Sequence, residues 1–116
     1  MAGSDDPLVV LVTFPSNEVA AEICRALVGE RHAACANLVP GIQSLYSWEG
    51  ALQDDTEVLA LLKTTRAALV SLEARIAELH PYDTPEVVAF EPAHVEARYL
   101  AWLRGSVGPA GPEGAS

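Results

Sequence analysis

An imidazole, a phenol, a carboxylate and a hydroxyl lie within six consecutive residues, His80-Pro81-Tyr82-Asp83-Thr84-Pro85. The two prolines fix φ and remove backbone donors, so this segment cannot prolong the helix-patterned stretch before it. A connection needed only for turning could be built from Gly, Asn and Ser. This one is stiff and dense in polar side chains, which suits binding or assembly. The competing reading is structural: His80 closes the helix C-terminus, where such a group is favoured, and Tyr82 fills an edge of the core.

Metal binding is the chemistry these residue types suit best. His80 and Cys35 are ligands for copper or zinc, Asp83 lies three residues beyond His80, and Glu49 and Glu57 add carboxylates. His80, Cys35 and Asp83 are therefore the candidate metal residues, for Cu(II) or another divalent cation that folding does not require. Catalysis is not expected. Cys35 lies in Ala33-Ala34-Cys35-Ala36-Asn37 with no basic neighbour in sequence to lower its pKa. CxxC, HExxH, GxGxxG and Walker patterns are all missing. Lys63-Thr64-Thr65 has the tail of a P-loop without its glycines, and reads as a strand end placed at a subunit seam.

The 116 residues suit one domain, and a net charge of −9, from sixteen acids against seven bases, excludes nucleic acid as a natural partner. Two cysteines do not make a disulfide framework. No apolar run approaches the ~20 residues of a membrane helix. The start, Met1-Ala2-Gly3-Ser4-Asp5-Asp6, lacks the basic flank and apolar stretch of a secretory signal, so a cytoplasmic location is expected.

The elements that must position these groups follow from periodicity. Leu8–Phe14 is a continuous apolar, β-branched run and reads as a central strand. Pro15 ends it, Ser16 or Asn17 caps a helix, and Val19, Ala20, Ile23, Cys24, Leu27 and Val28 mark its apolar face, with Gly29 near its stop. Cys24 on that stripe is a small core residue. Residues 33–48 read as one long strand bent at Pro40-Gly41 by an edge bulge. Glu49-Gly50 is a turn, Gln53-Asp54-Asp55 belong to it or to the next strand, and Glu57–Thr65 is a second long strand. A helix over residues 66–79, a strand over 86–90 and a last helix with Val95, Tyr99, Trp102 and Leu103 as contacts complete the order.

That order is the split βαβ repeat of ferredoxin-like α+β folds, β-α-β-β-α-β, plus a C-terminal helix. Right-handed crossovers place the two main helices on one sheet face and leave the other apolar. The expected limits are a flexible start over 1–7, a domain over 8–105 and a disordered tail over 106–116. The hairpin is too long for so small a core to cover, so other copies of the chain must cover it, with Tyr46, Trp48 and Trp102 as interface anchors.

The string Cys35-Ala36-Asn37, Pro40, Ser44, Tyr46, Trp48-Glu49-Gly50, Glu57, Lys63-Thr64-Thr65, His80-Pro81-Tyr82, Pro85-Glu86 and Tyr99-Leu100-Ala101-Trp102 resembles the CutA family of divalent-cation tolerance proteins, from about Leu8 to Arg104. The resemblance implies a ferredoxin-like subunit in a homotrimer of the kind PII signalling proteins form, with a role in divalent cation tolerance and no enzymatic reaction. It also implies weak binding of Cu(II) or a similar ion. A PII-like small-molecule sensor, or a trimeric scaffold, is the alternative. Its ligand carry-over is partial: Val12 and Leu79 stand where a copper-binding relative has a cysteine and a first histidine, so only His80 matches, and Asp83 replaces the usual Glu or Gln. Animal relatives are linked to cell-surface acetylcholinesterase, a role that would need a secretory signal.

Overall fold

The structure is a computed structural model that describes residues 3–109. Strand β1 (Pro7–Phe14) leads into helix α1 (Asn17–Gly29), followed by the long strands β2 (Cys35–Trp48) and β3 (Ala51–Thr65). A 3₁₀ turn, Arg66–Ala68, introduces helix α2 (Leu69–Leu79), and strand β4 (Val87–Phe90) and helix α3 (Ala97–Ser106) complete the chain. The sheet runs β2-β3-β1-β4, antiparallel throughout, which is the ferredoxin-like order.

Alternation along the strands decides what each sheet face touches. Val10, Val12 and Phe14 of β1 and Val58, Ala60 and Leu62 of β3 point to the helices and form the core with Ile23, Leu27, Leu72 and Ile76. Cys24 lies in that core, as its place on the apolar stripe implies, and burial pushes its thiol up to about 11 from 9.0. A raised folded-state pKa means that the stabilising effect of the neutral thiol is complete below pH 9.0 and is lost as pH rises through about 11. The melting temperature is therefore expected to stay level up to about pH 9 and then fall, with Cys24 contributing about 1–2 kcal/mol of the loss. A shallower fall between pH 9 and 11 in Cys24→Ala checks this, and an identical slope would contradict it.

The second sheet face is also apolar, with Val9, Leu11, Leu59 and Leu61 half-buried and Val88 and Phe90 exposed. Helix α3 packs against β1 and β3 and covers one end of this face, where its Tyr99 hydroxyl lies 3.3 Å from Cys35 Sγ. Glu96 caps α3 by accepting from Tyr99 N at 2.9 Å, so Val95 stands before the helix, and Leu103 is its buried contact.

The hairpin outgrows the sheet. Strand β1 pairs with β3 only over residues 58–65, so residues 42–57 project as a two-stranded arm. Glu49 (φ 50°) and Gly50 (φ 80°) close it as a two-residue turn whose left-handed backbone conformation matches the right-handed twist of the flanking strands. Gln53, Asp54 and Asp55 belong to β3, paired with Tyr46, Leu45 and Ser44. At Val39/Ile42 the register shifts: β2 carries one residue more than β3, and Gly41 takes φ 71° there. Pro40 is tolerated because β2 is an edge strand.

The elements run slightly past the expected domain limits at both ends. Gly3 through Asp6 form a turn whose carbonyls accept from Arg66 N and Ala67 N, at 3.0 and 2.9 Å, and Pro7 already pairs with Thr65, so residues 3–7 are fixed. Helix α3 runs through Ser106, and Gly108 is held by Arg31, whose Nε donates to its carbonyl and whose own carbonyl accepts from its N–H at 2.9 Å. The ordered chain thus passes the expected boundary at 105. The remainder of the expected tail lies outside the described residues. Those bonds also explain why the left-handed residue after α1 is Arg31 (φ 67°) rather than Gly29: its side chain must reach Gly105 O and Gly108 O.

Candidate functional site

Helix α2 ends at Leu79 because Pro81 follows, and His80, its cap, turns to extended backbone at φ −72°, ψ 137°. That turn drives the imidazole inward. His80 is only 7% exposed and stacks on Phe14 with ring centroids 4.9 Å apart. Its Nδ1 accepts from Tyr82 N at 3.1 Å, so Nε2 carries the proton and donates to Thr13 O at 2.7 Å. Both ring nitrogens are engaged, and the histidine acts as a strut between the loop and β1. His80 thus closes the end of α2 with its ring turned into the core.

Cys35 lies elsewhere. It pairs with Lys63, which is level with Val9, whereas Thr13 is four residues further along β1, roughly 13 Å at strand rise. Its thiol sits 3.7 Å from Lys63 Nζ and beside the Tyr99 hydroxyl, whose pKa is pushed up to about 12 by that contact and by burial. Cys35 has no basic neighbour in sequence, and the ammonium beside it is brought by cross-strand pairing from 28 residues away, so no local sequence signal exists. Lys63 also donates to Asn37.

Asp83 takes a third position, on the rim of a groove between the arm and the His80–Pro85 loop. The structure therefore does not bring His80, Cys35 and Asp83 together, and among the described residues no three His, Cys, Asp or Glu side chains converge as a metal shell. The groove encloses about 680 Å³. Its aromatic walls are Tyr46, Trp48 and Tyr82, and its acids are Glu57, Asp83 and Glu86; no Lys, Arg or His lines it.

Strand alternation builds this groove. Ile42, Ser44, Tyr46 and Trp48 share one face of β2 and sit across from Glu57, Asp55, Gln53 and Ala51. Glu57 follows the same rule, pointing away from the core that Val58 enters. It is nonetheless 7% exposed, because the loop folds over it and the Tyr82 hydroxyl donates to its Oε2 at 2.9 Å. Burial and this bond raise the Tyr82 phenol pKa, and the Asp55 carboxylate raises that of Tyr46, whose hydroxyl donates to it at 2.5 Å. Both phenols thus stay protonated and act as donors to the carboxylates. Sequence reading named Glu57 only as one hairpin acid among several; its signal was an acid heading the apolar run Val58–Leu62.

Tyr46 and Trp48 stand exposed on the arm, and Trp102 stands exposed on α3 with Tyr99 beside it at 5.4 Å. No helix among the described residues is long and apolar enough to cross a membrane.

Comparison with known proteins gives a consistent result. Residues 8–106 match the family described as CutA1 divalent ion tolerance protein. The divalent-cation tolerance protein CutA of Thermus thermophilus is 51% identical over 100 residues, covering 86% of this chain and 97% of that one. Protein CutA of Homo sapiens is 42% identical over 93 residues, covering 80% of this chain but 52% of its own length; the chain spans about half of its animal and plant relatives. Among solved structures, the Cut A1 protein of Thermus thermophilus superposes with a TM-score of 0.86 at 50% identity, covering 88% of this chain and 99% of that one. CutA1 of Pyrococcus horikoshii gives 0.83 at 39% identity, covering 88% and 99%.

Proposed function

The chain belongs to the CutA1 divalent ion tolerance family, and on that premise we propose that it works as a homotrimer in the response to divalent cations, without catalysing a reaction. The observation that carries this reading is the projecting arm. Leu45 (62%), Trp48 (58%) and Leu52 (77%) are largely exposed on a ribbon with no layer packed over it. Such a ribbon invites strand pairing and burial against another copy, and Tyr46, Trp48 and Trp102 supply the aromatic anchors that interfaces favour. Direct contact with Cu(II) or another divalent ion is weak in this reading. It runs through carboxylates such as Asp83, since the nitrogens of His80 are engaged and the sulfur of Cys35 faces an ammonium.

Light scattering across a dilution series tests the assembly. The expected mass is three times that of one chain at micromolar concentration. Truncating an interface anchor costs about 2 kcal/mol, so Trp48→Ala should weaken association roughly 30-fold. A well-folded wild-type monomer would overturn the reading.

A second reading is favoured by the groove itself. At about 680 Å³ it falls in the size range of small-molecule sites. A trimer that holds a small molecule there and presents the occupied state to a partner would be a sensor of PII type.

A further inference from the structure

We propose that Cys35 and Lys63 are the two halves of a reversible oxidative clip: hydrogen peroxide converts the Cys35 thiol to a sulfenic acid, and the Lys63 amine then closes on that sulfur to form a sulfenamide. The inference goes beyond the response to divalent cations and needs only groups present in one chain.

The pairing is specific. Lys63 is the only lysine in the sequence. It is the register partner of Cys35 across β2 and β3, and its Nζ stands 3.7 Å from Sγ. Cross-strand neighbours hold their Cβ atoms about 5 Å apart, so the amine meets the sulfur through ordinary rotamer motion. Asn37 accepts from the same Nζ and keeps the amine on this side of the hairpin. From α3, the Tyr99 hydroxyl reaches to 3.3 Å from Sγ. Three elements thus gather an amine and a phenol around one thiol.

The fold also closes off the competing outcome. Cys24, the other cysteine, is buried in the core on the helix side of the sheet. Cys35 is half-buried on the opposite side, beneath α3, so the chain offers it no second thiol with which to form a disulfide. A sulfenic acid condenses with a nearby thiol or nitrogen, and here the nitrogen is the one in reach. Hydrogen peroxide is scarcely larger than water, so it needs no open groove, even with Trp102 covered by another copy.

In the first step the sulfur attacks one peroxide oxygen, the O–O bond breaks, and the thiol proton leaves with the other oxygen as water. Sulfur is oxidised by two electrons and peroxide is reduced by two. In the second, Lys63, its ammonium proton passed to solvent, attacks the sulfur through the nitrogen lone pair. The S–N bond forms, the S–O bond breaks, and the hydroxyl departs as water with a proton from the amine. One thiol, one amine and one peroxide thus give one sulfenamide and two waters. A dithiol reverses the clip: one sulfur attacks Sγ and expels the amine, and the other then frees Cys35 as the reagent closes to its own disulfide.

Intact-mass measurement of the full chain after equimolar hydrogen peroxide, without added thiol, tests the proposal. Expected is a chain lighter by two hydrogens, restored by dithiothreitol. In a digest without reductant, trypsin should fail to cut after Lys63, and the Cys35 and Lys63 peptides should emerge joined. Lys63→Arg, which keeps the charge and replaces the amine by a poor nucleophile, should gain oxygen instead. Cys35→Ser should stay unchanged, and Cys24→Ala should behave as wild type. Circular dichroism establishes that each variant folds; should Lys63→Arg not fold, the wild-type peptides decide the matter alone.

A wild-type chain that only gains oxygen, or that stays unreacted, would overturn the proposal. So would a disulfide between Cys24 and Cys35, which has the same mass, or a loss of two hydrogens that persists in Lys63→Arg. Light scattering on the same samples separates this inference from the assembly: a trimer without the joined peptides removes only the clip, and a monomer that contains them removes only the trimer.

Discussion

Phe14→Ala is expected to lower stability by about 3–5 kcal/mol, the cost of emptying a large, well-packed core site. Phe14 is fully buried where the core of β1 meets the loop after α2, and its ring carries the stacked imidazole of His80. Its removal therefore leaves a void in the core and takes away the surface on which the His80 strut rests. Domains of this size have about 5–15 kcal/mol in total, so the variant should unfold at markedly lower urea concentration, or remain unfolded without it. Urea titration followed by circular dichroism reads the effect. A loss below about 1.5 kcal/mol would mean that the site collapses readily, and that the loop does not depend on this ring.

The second large effect separates the two roles open to His80. His80→Ala removes a buried ring and both of its hydrogen bonds, leaving Thr13 O and Tyr82 N without that partner. Truncation and loss of the bonds together should cost about 2–4 kcal/mol. Because both nitrogens face inward, heats of Cu(II) titration into the folded variant should match those of wild type. A small stability loss together with abolished copper heats would reverse the assignment and make His80 a ligand. Asp83→Asn is the counterpart: exposed and on the groove rim, it should leave stability nearly unchanged.

The fold was legible because its signals are local. The run Leu8–Phe14, the 3.6-residue spacing of Ile23, Cys24 and Leu27, the turn at Glu49-Gly50 and the edge bend at Pro40-Gly41 each follow from neighbouring residues, and the structure contains each of them. The contacts at the ends were less legible for a related reason. Glycine and proline after Arg104 suggest disorder locally, yet Arg31 holds Gly105 and Gly108 across more than seventy residues. Site geometry was less legible than the fold. Periodicity places Glu57 opposite the core but cannot say that Tyr82 closes over it, and nothing in the order of residues brings Lys63 to Cys35. His80 was weighed both as a metal ligand and as the residue closing the helix end. Its inward aim follows from the extended turn that Pro81 imposes, which the sequence allows without specifying where the ring lands.

The single additional residue in β2 near Pro40-Gly41 bends the strand and so sets the direction in which the arm leaves the body. Absorbed in a bulge, it leaves Ile42, Ser44, Tyr46 and Trp48 in phase with Glu57. Loss of one codon there would be no minor trimming. It would restore an uninterrupted ladder with Val39 still opposite Leu59 and Ile42 still opposite Glu57, leaving each side chain on its present side while removing the bend and extra twist that aim the arm. In-frame length changes at this one point are thus a route by which descendants of the chain could swing the same contact surface to a new angle, with the globular body left untouched.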